Sequence, residues 1–235
     1  MSDILVKVSK NSAIIVGAGS SRRMDGEDKV FVRLLNRPTI AWTIQTFEKT
    51  DKIDQIVLVL SKDNIDLGKK LVENEGWKKI SYICEGGERR QDSVEIGLNL
   101  LRNSRIVMIH DAARPCITSD IIERGLSAVQ STGAAVAAIK AVDTIKRVGT
   151  NYEIIETIVR DNLWVVQTPQ VFNYDLILKA HKHVKENVTD DATMVEKLGW
   201  RVVVYEGSHS NIKITRKADI AYAESFLRQS LRGVS

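Results

Sequence analysis

The chain has 235 residues, 43% of them apolar and 27% charged, with a formal net charge of +4. That length buries a full core without disulfides or structural metals, and the composition excludes collagenous, low-complexity and disordered classes. The mild basicity comes with no long basic run and no basic stretch interleaved with aromatics, which argues against nucleic-acid binding.

The N-terminus MSDILVKVSK is mixed in charge and lacks an apolar core segment, so no signal peptide is expected. No apolar run approaches the ~20 residues of a membrane helix, and a cytoplasmic protein with no membrane partner is expected. Short β-branched runs then read as buried parallel strands at Ala13–Val16, Gln55–Leu60, Ile80–Ile83, Arg105–Ile109 and Ala134–Ile139. Amphipathic helical spacing separates them. Ile40, Ile44 and Phe47 share a face behind Pro38, placed as a first-turn proline. Val94, Leu98 and Leu101 do so after Gln91, and Ile121, Leu126 and Val129 after Ser119, read as the N-cap. Gly76 and Gly199 sit where a left-handed glycine ends a helix. Residues 141–172 break the rhythm and read as a projecting β-hairpin arm. Helices follow Tyr174 and Thr189, a strand spans Arg201–Tyr205, and a last helix covers about Lys217–Leu231 with Ile220, Phe226, Leu227 and Leu231 inward. The expected fold is a single α/β domain over 1–235. Its sheet is open, doubly wound and mainly parallel, with helices on both faces (Rossmann-like) and the arm added. Cys84 and Cys116 have no metal or redox spacing and read as reduced thiols.

Ligands in such sheets bind beyond the carboxyl ends of the strands. The first strand ends in Gly17-Ala18-Gly19-Ser20-Ser21-Arg22-Arg23, with Lys29 following. The glycines admit phosphate oxygens to the backbone. Arg22 stands where a dinucleotide fingerprint has its third glycine, and no G-K-[ST] follows, so neither a dinucleotide site nor a Walker loop fits. Arg23 and Lys29 are suited to neutralising a triphosphate. Asp111, at the end of the fourth strand, is placed to hold a divalent cation against phosphates. After the third strand, Gly87, Glu88, Arg90 and Ser93 can approach and hydrogen-bond a flat base.

The strings GAGSSRRM, GGERRQDSV, HDAARP, VDTIKR, TIVRDNLWVVQTPQVF, TDDA and NIKIT, in this order, closely resemble the 2-C-methyl-D-erythritol 4-phosphate cytidylyltransferase family of non-mevalonate isoprenoid synthesis. The resemblance runs from about Ala13 to Leu227. It implies a nucleotidyltransferase fold of seven strands, CTP and methylerythritol phosphate as substrates, Mg²⁺ as cofactor, and a homodimer whose arms embrace. On the matching positions, Arg23 and Lys29 stabilise the transition state, Arg160 and Lys213 position the acceptor, and Asp111 binds the metal. Thr144 and Thr168 lie on the acceptor side, and Gly17, Ala18, Gly19, Gly87, Glu88, Arg90 and Ser93 bind CTP. Four positions depart from the family pattern: Gly17 replaces an alanine, Asp28 precedes the loop lysine, Glu88 replaces an aspartate, and Ser210 replaces an acidic residue before NIK. The ribitol 5-phosphate cytidylyltransferase group is the alternative, but HDAARP favours methylerythritol phosphate. No histidine is a convincing base: His181 and His183 are i and i+2, and His110 reads as structural.

Overall fold

The computed structural model describes residues 9–19 and 28–232. The first half runs β1 (Lys10–Gly17), a small ribbon of β2 (Arg33–Leu34) and β3 (Arg37–Pro38), α1 (Thr39–Lys49), β4 (Gln55–Leu60), α2 (Ile65–Glu75), β5 (Ile80–Glu85), α3 (Arg90–Leu100) and β6 (Ser104–Asp111). Then come α4 (Ser119–Thr132), β7 (Ala134–Lys140), β8 (Ile145–Val148), β9 (Ile154–Ile158), β10 (Trp164–Asn173), α5 (Tyr174–His183), α6 (Asp191–Lys197), β11 (Val203–Glu206) and α7 (Ala218–Arg232). The main sheet has seven strands in the order β11-β7-β10-β6-β1-β4-β5. Strand β10 is antiparallel to both of its neighbours, while β1, β4, β5 and β6 pair parallel and β11 pairs parallel with β7.

Alternation along the strands divides the interior into two apolar layers. Ile15, Ile56, Leu58, Ile106 and Met108 face α1 and α4 through Ile40, Ile44, Phe47, Ile121 and Val129. Ile14, Val57, Val59, Val107 and Ile109 face α3, α5 and α6 through Val94, Leu98, Ile177, Met194 and Val195. Helices on both faces leave β4 buried along its whole length, which is why its sequence is a continuous apolar run rather than an alternating one. Helix α7 closes a third, smaller cluster around Leu34, Cys116, Ile214 and Leu227.

The structure corrects several boundaries. The arm is the hairpin of β8 and β9, and residues 164–172, expected in the arm, belong to β10 of the main sheet. Buried Gln167, Thr168 and Gln170 interrupt its apolar pattern, and the ladder to β7 shifts register between Val166 and Gln170, so the segment does not read as a core strand. Thr118 caps α4, accepting from Ile121 N; Ser119, expected as the cap, is the first helical residue and bonds Thr50 through its hydroxyl. Pro38 occupies the cap position of α1 rather than its first turn. The strand expected from Arg201 starts at Val203. Leu231 is exposed, because the last turn of α7 runs past the third cluster. Gly76 and Gly199 do adopt the left-handed conformation, at φ of 66° and 78°. Among the described residues no helix is long and apolar enough to cross a membrane.

Candidate active site

The carboxyl ends of β1, β5 and β6 meet at one edge of the sheet, and their loops are packed tightly. Gly86 N donates to Leu60 O and Ala112 N to Val16 O, both at 2.9 Å. A Cβ on Gly86 would overlap Ala18 and come within 2.6 Å of Ser93 Oγ, so glycine is needed there for two loops to touch. Gly17 is similarly confined: an added Cβ would lie 3.1 Å from Leu60, 3.2 Å from Ala112 and 3.3 Å from Val30. Ser93 Oγ accepts from Gly87 N at 3.1 Å and reaches Arg89 O at 3.3 Å, fixing the turn that starts α3.

Asp111, 6% exposed, is the electrostatic centre. Lys213 Nζ lies 2.8 Å from Oδ2, Arg114 Nε 3.5 Å from Oδ2, and Arg90 Nε 3.3 Å from Oδ1. Burial alone would raise the Asp111 carboxyl, but Arg90, Lys213 and Arg114 outweigh it and hold the pKa far below the usual carboxylate range. Arg90 in turn lies 2.6 Å from Asp191 Oδ2. Burial opposes its charge, yet Asp191 and Asp111 together raise its pKa. Arg114 goes the other way, with burial the larger influence.

The backbone of Asp111 is held as firmly as its side chain. Its N–H donates to Thr168 Oγ1 at 3.1 Å. The Thr168 hydroxyl is left to donate to His110 Nδ1, 3.1 Å away. His110 is fully buried against Phe47, and burial pushes its pKa down to about 3. It is neutral, its Nδ1 an acceptor, with Nε2 facing Arg114 O at 3.4 Å. Such an imidazole is a scaffold, not a base.

Three of the sequence strings are knitted together here. Arg114 of HDAARP donates to Asn211 O at 2.8 Å, Ile214 N donates to Ala113 O at 2.8 Å, and Asn211 Nδ2 donates to Thr168 O at 2.9 Å. The segment carrying Lys213 is thereby pinned against the ends of β6 and β10, and its ammonium group is delivered to Asp111.

Two hollows flank this cluster and share Arg90, Asp111 and Lys213. The first is lined by Gly17, Ala18, Gly19, Lys29, Gly87, Glu88, Arg90 and Ser93, so the structure gathers the residues expected for CTP around one space. The second is lined by Thr168 with Arg114, Gln170, Thr189, Asp190 and Thr193. Thr144 and Arg160 line neither hollow; both are exposed on the arm, where Arg160 donates to Val142 O. Arg23, expected to be catalytic, lies outside the described residues. Arg114, Gln170 and Asp191 were missed by residue-by-residue reading. The signal was present, since all three fall in the strings HDAARP, TPQ and TDDA, but a buried ion pair between distant segments leaves no local pattern. Among the described residues no group of three or more His, Cys, Asp or Glu side chains could cage a metal. A single ionised carboxylate fits a hard cation whose remaining ligands are phosphate oxygens and water.

Known proteins resemble the chain over nearly its whole length. Residues 12–229 match the family model IspD, 2-C-methyl-D-erythritol 4-phosphate cytidylyltransferase. The proteins of that name from Alkaliphilus oremlandii and Dehalococcoides mccartyi are each 44% identical to the chain. The first match covers 96% of this chain and 98% of the relative, the second 94% and 97%. The crystal structure of 4-diphosphocytidyl-2C-methyl-D-erythritol synthase from Anaerococcus prevotii superposes with a TM-score of 0.83 at 30% identity, over 94% of this chain and 96% of that one. The Thermus thermophilus cytidylyltransferase structure superposes with a TM-score of 0.76 at 28% identity, over 92% and 98%. The ribitol phosphate alternative is not favoured by these matches. The chain belongs to the IspD family of 2-C-methyl-D-erythritol 4-phosphate cytidylyltransferases.

Proposed function

We propose that the chain transfers the cytidylyl group of CTP to 2-C-methyl-D-erythritol 4-phosphate and releases pyrophosphate, in isoprenoid precursor synthesis. The observation that carries this reading is the sharing of Asp111, Arg90 and Lys213 by two hollows, because a group transfer needs two substrates to meet at one charged centre. CTP would occupy the glycine-lined hollow and the acceptor phosphate the other. An acceptor oxygen attacks the α-phosphorus, the new O–P bond forms, and the bond to the β-phosphate oxygen breaks with pyrophosphate leaving. A phosphate monoester has a second pKa of about 6 and is already mostly dianionic at neutral pH. The nucleophile therefore needs no base, in keeping with a neutral, buried His110.

The chain's contribution is positioning and charge. Arg23, Lys29 and Lys213 would neutralise the crowded phosphates, with Arg160 and Thr144 completing the acceptor side from the arm of a second copy. Mg²⁺ held by Asp111 and the triphosphate would supply further neutralisation of phosphate charge. The homodimer is supported by the arm's exposed apolar side chains, among them Ile154, Ile155 (64% exposed) and Val159 (77% exposed), a density that a solitary hairpin does not leave in water. Pyrophosphate release tests the function, with four nucleotides crossed against methylerythritol 4-phosphate and ribitol 5-phosphate. Turnover confined to CTP with methylerythritol 4-phosphate is expected; equal or better use of ribitol 5-phosphate would overturn the acceptor assignment.

A further inference from the structure

Among the described residues, Asp191 is a buried charge that has no task in the proposed transfer. Asp191 is 1% exposed, and its carboxylate does not cap α6. That role belongs to Asp190, which accepts from Thr193 N at 3.0 Å. Gln170 holds the start of the helix independently, its Oε1 accepting from Asp191 N and Ala192 N at 3.1 Å each. Asp191 Oδ2 accepts from Arg90 at 2.6 Å. Its Oδ1 has no hydrogen-bond partner, and His181 Nε2 stands 3.6 Å from it. Burial would raise the Asp191 carboxyl, but Arg90 first and the neighbouring His181 second outweigh it and hold the pKa below the usual carboxylate range.

A buried carboxylate with one short bond is costly to keep unless the bond has a use. Arg90 supplies one. Its guanidinium lines both hollows and has two carboxylates to choose from. The short contact goes to Asp191 and the longer one, 3.3 Å, to Asp111. Arginine spans two anions with donors fixed in a planar fork, whereas a lysine ammonium is a compact point charge on a flexible stem and holds neither anion in a set direction.

We propose that Asp191 is a positioning residue for the transfer: it draws Arg90 toward α6, so that the guanidinium braces Asp111 between the hollows without closing over it or reaching the triphosphate. With Asp191 neutral, Arg90 would collapse onto Asp111 or bind the nucleotide phosphates, and the reacting centre would lose its alignment.

The inference rests on the proposed transfer, and the experiment separates the two. Pyrophosphate release is measured for the wild type, D191N, R90K and the double variant, alongside CTP binding by calorimetry. Asparagine keeps the shape of Asp191. The expected result is a kcat for D191N about 10- to 100-fold lower, the range typical of a group that holds a site residue from behind, with CTP still binding near one per chain. D191N should then add less than about 3-fold to the loss in R90K, because both changes undo the same bridge. Wild-type turnover with D191N within about 3-fold of it would overturn the proposal. So would multiplying effects of D191N and R90K, or a kcat loss matched by an equal loss of CTP-binding chains, or a D191N chain that does not fold; each would leave Asp191 a core residue only. A wild type that releases no pyrophosphate would instead remove the proposed function.

Discussion

Lys29 and Lys213 on one hand and His110 on the other show two ways in which one side chain serves this site. Lys29 and Lys213 are cations lining the hollow with Asp111. Removing one such charge typically lowers the rate by about 10²–10³. Lys29→Ala should therefore fold normally, with an unchanged melting temperature, and release pyrophosphate at least about 100-fold more slowly; near-normal turnover would exclude the role. His110 acts through stability. Burial sets its folded pKa at about 3, below an unfolded value of about 6.5. The unfolded chain thus binds the extra proton between those values, and stability falls as the pH drops through that window. From pH 7 to pH 5 the loss is roughly 2 kcal/mol. Denaturant midpoints should fall over that interval, and His110→Gln should lose that part of the slope. These roles were legible to different degrees. Lys29 and Asp111 stood out at strand ends, while the neutrality of His110 follows only from its burial against Phe47.

Helix termini position the chemistry, and their caps explain how. Helix α6 opens with Asp190, which accepts from both Thr193 N and Thr193 Oγ1 and from Gln170 Nε2 at 2.7 Å. Asp190→Ala should cost about 1 kcal/mol from the lost cap, more if Gln170 is left unpaired. Thermal melting checks the stability, and a rise in KM for the acceptor phosphate is expected, since Asp190 and Thr193 line that hollow. Helix starts were legible to within a residue: the cap of α4 falls on Thr118, not Ser119, because adjacent hydroxyl residues carry the same signal. Strand β10 was not legible as part of the sheet. It buries glutamines and a threonine that face the site rather than the core, and such a strand cannot show apolar alternation.

At the scale of the whole molecule, Thr144 and Arg160 flank the β8–β9 hairpin and line neither hollow of their own chain. If the arms exchange between two copies, each active site mixes residues of both chains. Lys29→Ala and Arg160→Ala variants, each nearly inactive alone, should then complement when denatured together and refolded in equal amounts. Half the dimers are mixed and each has one intact site, so about a quarter of the wild-type activity is expected. No recovery in the mixture would refute the shared site. A charge on the apolar face of the arm, as in Ile155→Glu, should weaken association in sedimentation experiments.

By themselves, the residues of this chain determined the alternation of strands and helices, the glycine turns at strand ends and the kinds of charge that phosphate chemistry requires. Those are local matters, written in hydrophobic period and residue type. Only the tertiary structure decided which charges meet. Arg90, Arg114 and Lys213 converge on Asp111, and Asp191 stands behind Arg90. The reason is physical: attraction between charges depends on distance and burial after the loops have packed, and separation along the chain encodes neither.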